Sequence, residues 1–294
     1  MSLAELLTSA ITAESRMKPR DDQVDFFGIT DIGKVRKENQ DHFLIATVHQ
    51  QLMIHGTSFP SPEQLTVRGE RLASFMLVAD GVGGAAAGGE ASQLTVETIA
   101  RYVSSTMQCF QTPQTSGGEK QLLESLREAA KEAHTAVRAE GAGRGESKMA
   151  STLTLAYFIW PYGYVVQVGD SRCYHWTGGK LRLVTRDQTL AQDLVDQGVL
   201  PLERMAKSPF RNVLARAIGA DEATPEVSRV DLDTKSTFLV CSDGLTKHVS
   251  DEEIGEQIAA MKSSEQLCRA LVQMALDRGG SDNVTVLAVR RKPN

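Results

Sequence analysis

From Met149 to Gly169 the chain runs for 21 residues without a charged side chain, and what this stretch becomes constrains everything around it. A run of that length is enough for a helix to cross a bilayer. Pro161-Tyr-Gly163 interrupts it, however, and the flanks are rich in β-branched and aromatic residues: Thr152-Leu-Thr-Leu-Ala-Tyr-Phe-Ile159 and Tyr164-Val-Val-Gln-Val168. The pattern predicts a buried β-hairpin rather than a membrane span.

The rest of the chain extends that reading. Strands are expected at residues 26–30, 42–48, 74–79, 172–176, 181–184, 237–240 and 284–289. Residues 90–107 carry Val96, Ile99, Val103 and Met107 at helical spacing, and residues 119–140 carry Leu122, Leu126, Ala129, Ala133 and Val137. Each has one apolar stripe and one charged face, as helices packed on a sheet require. A second pair is expected at 252–261 and 265–278, and a shorter helix at 188–197. Strands in hairpins and helices in pairs predict an α+β domain, with antiparallel sheets covered by helices rather than a parallel βαβ sheet. We place this domain at residues 24–294. Residues 1–23 form an N-terminal extension in which Ser2-Leu-Ala-Glu5 reads as a capping box for a short amphipathic helix. Residues 49–72 are longer than a hairpin loop needs and read as an insertion. Residues 186–230 are irregular.

Composition narrows the class. With 32 basic and 37 acidic residues the net charge is -5, which argues against nucleic acid as a partner. Cys109, Cys173, Cys241 and Cys268 form no C-x-x-C pair, so neither a disulfide framework nor a zinc site is expected. With no secretory signal apparent, a cytoplasmic monomer without membrane attachment is expected.

Three apolar runs end in an aspartate beside Gly or Ser: Phe75-Met-Leu-Val-Ala-Asp80-Gly81, Val165-Val-Gln-Val-Gly-Asp170-Ser, and Phe238-Leu-Val-Cys-Ser-Asp243-Gly244. A fourth group, Gly280-Ser-Asp282-Asn283, immediately precedes one. Any one of these could be an ordinary turn. If the strand ends meet at one edge, the carboxylates converge, and two of them about 4 Å apart repel by roughly 4 kcal/mol at an effective dielectric of about 20. Such a cluster calls for cations. All-oxygen ligands select Mg2+ or Mn2+, and no H-x-H or H-E-x-x-H spacing offers a zinc alternative. A two-metal site of this kind suits phosphoryl displacement. Arg36, in a charged segment with Asp41, offers a planar fork for phosphate oxygens, although taken alone that segment is an ordinary solvated loop.

At this point a resemblance is visible. Asp31-x-Gly-x-x-Arg36-x-x-Asn-Gln-Asp41, Val78-Ala-Asp80-Gly81-x-Gly-Gly, Met149-Ala-Ser-Thr152, Val168-Gly-Asp170-Ser-Arg172, Arg211-Asn-Val-Leu-x-Arg216-Ala-Ile-Gly219, Ser242-Asp243-Gly244-Leu and Gly280-Ser-Asp282-Asn283 follow one another as in PPM-type (type 2C) metal-dependent serine/threonine protein phosphatases, most like their bacterial branch. The resemblance implies a β-sandwich of two antiparallel sheets flanked by helix pairs. It also implies two Mn2+ or Mg2+ ions bridged by Asp80, with the Gly81 carbonyl, Asp243 and Asp282 completing the shell. Asp170, helped by Asp243, matches the position of a third, weaker metal. Arg36 matches the residue that binds substrate phosphate, and Asp41 the acid that supports the metal waters. The implied reaction is direct attack of a metal-bridging hydroxide on a phosphoserine or phosphothreonine of a protein substrate, the target of a serine/threonine kinase. Residues 186–230 correspond to the family's flap, where Arg204, Lys207, Arg211 and Arg216 could steer a phosphorylated substrate.

The chain also departs from the pattern. Ala85 stands where many bacterial relatives have His, leaving a metal-bound water, His42 or His248 as the general acid, and Gln40 replaces an acid. These departures are the support for an alternative, a weak or inactive pseudophosphatase that binds phosphoproteins. Other classes fit less well. Gly81-Val-Gly83-Gly-Ala-Ala86 formally matches a dinucleotide fingerprint, but Asp80 would face the pyrophosphate and no second strand follows within a βαβ unit. No cysteine has the Arg six positions on that a cysteine phosphatase needs.

Overall fold

A computed structural model describes residues 17–51, 68–83, 86–106, 117–145 and 149–292. The expected N-terminal amphipathic helix, the centre of the 49–72 insertion and Ala85 lie outside the described residues. In chain order the elements are β1 (Val24–Asp31), β2 (Asp41–Gln51), β3 (Arg68–Val82), α1 (Ala86–Thr106), α2 (Gly118–Arg144), β4 (Ala150–Ser151), β5 (Leu153–Ile159), β6 (Tyr162–Val168), β7 (Arg172–Thr177) and β8 (Lys180–Leu183). They continue with α3 (Leu190–Asp196), α4 (Leu202–Met205), β9 (Glu226–Asp231), β10 (Thr237–Cys241), α5 (Asp243–Thr246), α6 (Asp251–Ala260), α7 (Ser264–Asp277) and β11 (Val284–Arg291).

The uncharged stretch folds as the hairpin β5–β6, with Leu153 opposite Val168 and Ile159 opposite Tyr162. Its lack of charge follows from its position, because it lies inside a sheet of order β2-β3-β5-β6-β9 that packs face to face with a second sheet, β1-β11-β10-β7-β8. Side chains alternate between two dry environments. On β3, Met76 and Val78 point between the sheets toward Phe238, Val240 and Leu287. Phe75 and Leu77, from the same strand, point outward into a cluster with Ile99 of α1 and Leu122 and Leu126 of α2. On the other side, Leu239 and Cys241 of β10 pack outward against Ile254 of α6 and Leu267 and Leu271 of α7. The result is the α-β-β-α layering expected from the sequence. No helix among the described residues is long and apolar enough to cross a membrane.

Several elements differ from the sequence reading. Residues 226–231 form β9, which pairs antiparallel with β6, so the irregular segment stops short of residue 230. Their alternation of charged and half-buried residues is that of an edge strand, which lacks the apolar run used to recognise the interior strands. Strands β2 and β3 reach into the 49–72 stretch as far as Gln51 and back to Arg68. The helix expected at 188–197 is confined to Leu190–Asp196, because Thr189 caps it by accepting from the Gln192 amide.

Chain crossings at the ends of the sandwich are tight. A Cβ placed on Gly244 would lie 1.9 Å from the Asn283 carbonyl oxygen, whereas one on Gly143, in α2, would meet nothing within 4 Å. We therefore expect Gly244→Ala to cost about 1–3 kcal/mol, because the backbone must move. Gly143→Ala should be neutral or gain up to about 1 kcal/mol from helix propensity. Urea unfolding of both variants checks the contrast; equal midpoints would refute it.

Candidate metal centre

Strand register brings the aspartates to one end of the sandwich. In one sheet, Asp41 at the start of β2 stands directly opposite Asp80 near the end of β3. In the other, Cys241 pairs with Arg172 on one side and Val286 on the other. Asp170, Asp243 and Asp282, just beyond these three strands, therefore leave the sheet at the same edge. Hydrogen bonds from one sheet to the other close this end: Ser242 Oγ and Thr285 Oγ1 both donate to Asp41 Oδ2, each at 2.7 Å. Asp80 is held by its backbone, its amide donating to Thr152 Oγ1 at 2.9 Å while the Thr152 amide donates to the Asp80 carbonyl at 2.8 Å. Asn283 ties the preceding loop to this edge through bonds to the Ile32 and Glu38 carbonyls and the Gln40 amide. At Gly81 a Cβ would sit 2.2 Å from the Gly88 carbonyl oxygen, so a side chain is barred where β3 passes α1.

The cluster is electrostatically costly. Burial, then the charges of Asp41 and Asp243, push the Asp80 carboxyl well above the usual range. Burial and Asp243 raise Asp170 to about 7. Burial also raises Asp41, to about 6, against the hydroxyl bonds from Thr285 and Ser242. Asp243 is raised by burial in spite of Lys247. Asp282 goes the other way: burial opposes ionisation, but the hydrogen bonds from Arg36 and Lys247 outweigh it and hold the carboxyl below its ordinary value.

Two cations relieve the charge. Arg36 grips Asp282 with both ends of its fork, Nε to Oδ1 at 2.6 Å and Nη2 to Oδ2 at 2.8 Å. Lys247 reaches Asp243 Oδ2 at 2.6 Å and Asp282 Oδ2 at 2.7 Å. The sequence reading missed Lys247. Its signal was the spacing of four from Asp243, which becomes a contact only because residues 243–246 are helical. Thr152, Ser242 and Thr285 were also missed as site residues, their hydroxyls being indistinguishable in sequence from those of any buried strand.

Oxygen donors of the kind that suit a hard divalent cation are gathered here. Asp41 Oδ1 and Asp243 Oδ1 are buried without a hydrogen-bond partner, a state that costs free energy unless a cation or water meets them. Among the described residues no group of three or more such side chains is already disposed to hold a metal ion. Asp243 and Asp282 meet the protein's own cations, Lys247 and Arg36. The cluster opens into a cavity of about 630 Å³ lined by Arg36, Asp80, Asp170, Asp243, Lys247 and Asp282, together with residues 212–217 of the flap. A cavity at the opposite end of the sandwich is far smaller, about 80 Å³, and Asp233 is its one acid.

Of the four flap bases, Arg216 alone lines the main cavity, and it pairs with Asp193 at 3.7 Å. Arg211 bonds the Ala206 carbonyl, and Arg204 and Lys207 line a separate groove beside Phe210. His42 contacts Ser92 Oγ at 2.9 Å and His248 contacts Ser281 Oγ at 2.9 Å, and neither lines the cavity.

Comparison with known proteins gives the family and the fold. Residues 64–279 match the family model described as Protein phosphatase 2C. The serine/threonine protein phosphatase PstP of Mycobacterium tuberculosis is 34% identical over 216 residues, 73% of this chain and 40% of PstP, so the chain spans less than half of that relative. The serine/threonine phosphatase stp of Listeria monocytogenes is 29% identical over 264 residues, covering 89% of this chain and 94% of stp. The crystal structure of M. tuberculosis PstP superposes with a TM-score of 0.73 at 29% identity, covering 92% of this chain and 99% of that one. A structure of the PstP catalytic domain in complex with two manganese ions superposes with a TM-score of 0.70 at 28% identity, covering 92% and 99%. A sandwich that gathers its aspartates at one edge, and a family match across most of its length, lead to one assignment: the chain belongs to the protein phosphatase 2C family.

Proposed function

We propose that this chain is a divalent-cation-dependent protein serine/threonine phosphatase that hydrolyses phosphoserine and phosphothreonine in targets of a serine/threonine kinase. The observation that carries the proposal is the convergence of Asp80, Asp170, Asp243 and Asp282 with Arg36 around one cavity, with Asp41 paired to Asp80 across the adjoining strands. In this reading Asp80, Asp243, Asp282 and the Gly81 carbonyl hold two Mn2+ or Mg2+ ions, and Asp170 with Asp243 offers a third, weaker position. When bound, the cations supply Lewis acidity that makes water a nucleophile near neutral pH and offsets charge on the transferring phosphoryl group.

The chain's own residues do the rest. Arg36 presents to phosphate the same fork that now holds the two oxygens of Asp282, and its side chain is 51% exposed and so within reach of a substrate. Asp41 is fixed through Oδ2 by two hydroxyls, which leaves Oδ1 to accept a hydrogen bond from a water and orient it. Cys173 and Cys241, on the strands behind the site, offer no nucleophile: burial pushes the Cys241 thiol up to about 12 and raises Cys173 further, so neither supplies a thiolate. The names of the relatives support the substrate class. Retention of the whole carboxylate set favours turnover over a pseudophosphatase.

Asp80→Asn should remove Mn2+-supported hydrolysis of a phosphothreonine peptide while leaving the fold intact by circular dichroism. Wild-type turnover no higher than that of Asp80→Asn, with metal bound, would sink the reading. Arg36→Ala should lower kcat/KM by about 100-fold, measured on the same peptide. Because burial and mutual repulsion keep Asp80 and Asp170 protonated above the usual range, protons compete with cations for the site. Affinity for Mn2+ should therefore rise as the pH increases through about 7, with proton release on binding. Calorimetry in two buffers of different ionisation enthalpy measures that release, and none detected would contradict it.

A further inference from the structure

Lys247 lies where the carboxylate cluster calls for a cation. One helical turn separates it from Asp243, and its amide closes that turn on the Asp243 carbonyl at 2.9 Å. Its ammonium then folds back to lie 2.6 Å from Asp243 Oδ2 and 2.7 Å from Asp282 Oδ2. These two carboxylates come from different segments, residues 243 and 282, so Lys247 fastens the end of β10 to the start of β11. Arg36 does not duplicate this contact, because its hydrogen bonds go to Asp282 alone. The Lys247 side chain is 26% exposed and lines the main cavity, so it has space into which it can swing.

We propose that Lys247 is a resident counter-ion of the cluster, which holds Asp243 and Asp282 together before metal binds and competes with a divalent cation for their oxygens. The inference rests on the assignment of Asp243 and Asp282 as metal ligands. A carboxylate oxygen can serve two cations, as Asp282 Oδ2 serves Arg36 and Lys247, but a divalent cation brought to the same two carboxylates meets the repulsion of the ammonium already there. Each cation that enters therefore works against an ion pair already made. Lys247 makes the site weaker for metal and the metal-free protein more stable, two effects of one contact linked through mass action. Where the divalent cation wins, the ammonium stays tethered beside the cavity by its four-carbon stem.

The test uses Lys247→Met, which keeps the length of the side chain without the charge, and Lys247→Gln, which keeps a donor without the charge. Mn2+ is titrated into the full chain by calorimetry, and thermal midpoints are measured with EDTA and with saturating Mn2+. Both variants should bind Mn2+ at least about tenfold more tightly than wild type, a change of about 1.4 kcal/mol. With EDTA both should melt below wild type, and with Mn2+ the gap should close or reverse. A side chain that only fills space would lower the midpoint equally in both conditions and leave Mn2+ affinity unchanged. That result, with wild type binding Mn2+, overturns the role of Lys247 and leaves the metal assignment standing. No Mn2+ binding by wild type or by either variant overturns both.

Discussion

The rest of this molecule depends on concentrating negative charge at one end of a dry sandwich. Asp41 and Asp80 face each other across β2 and β3, while Asp170, Asp243 and Asp282 arrive from the other sheet. Left to themselves these carboxylates would push the sheet ends apart. Asp41 does the reverse, because the hydroxyls of Ser242 and Thr285 reach it from the opposite sheet and turn a charge into a cross-link. The apolar layer behind it, with Met76, Val78, Phe238, Val240 and Leu287 wholly or almost wholly buried, holds the two sheets together beneath the carboxylates.

That division of labour connects the fold to its chemistry. Helices α1 and α2 cover one sheet and α6 and α7 the other, so the strands can be apolar on both faces and end abruptly in polar loops. The strand ends and the segments that follow them carry the charged groups. Gly81 and Gly244 allow backbones to cross at distances no side chain would permit, which keeps the carboxylates close to one another. Arg36 and Lys247 supply positive charge from within the chain, and both are therefore connected to whatever cation the site takes up. On the proposed function, binding of metal and of phosphate is coupled to the protein's own ion pairs, since the groups that would grip a ligand are those now gripping each other.

How far the site could be read in advance depended on the range of the interactions. Asp80, Asp170, Asp243 and Asp282 were visible because each adjoins an apolar run, and the alternation of buried side chains fixes where a strand ends. Their convergence followed from the order of strands and helices, together with the family resemblance. The edge strand at residues 226–231 went unread because Glu226, Arg229 and Asp231 face solvent, so it lacks the apolar run of its neighbours. The flap bases looked alike in sequence, yet Arg216 alone reaches the main cavity while Arg204 and Lys207 line another groove.

The sequence by itself determined the layers, the antiparallel hairpins and the identity of the acids, because periodicity and strand-end chemistry are local properties of a chain. Only the tertiary structure decided which hydroxyls hold Asp41, which cation spans Asp243 and Asp282, and which flap residue faces the cavity. Those choices depend on distances of about 3 Å between segments as many as 244 residues apart, as between Asp41 and Thr285. Charge and hydrogen bonding at that range depend on register and packing, which no spacing along the chain encodes.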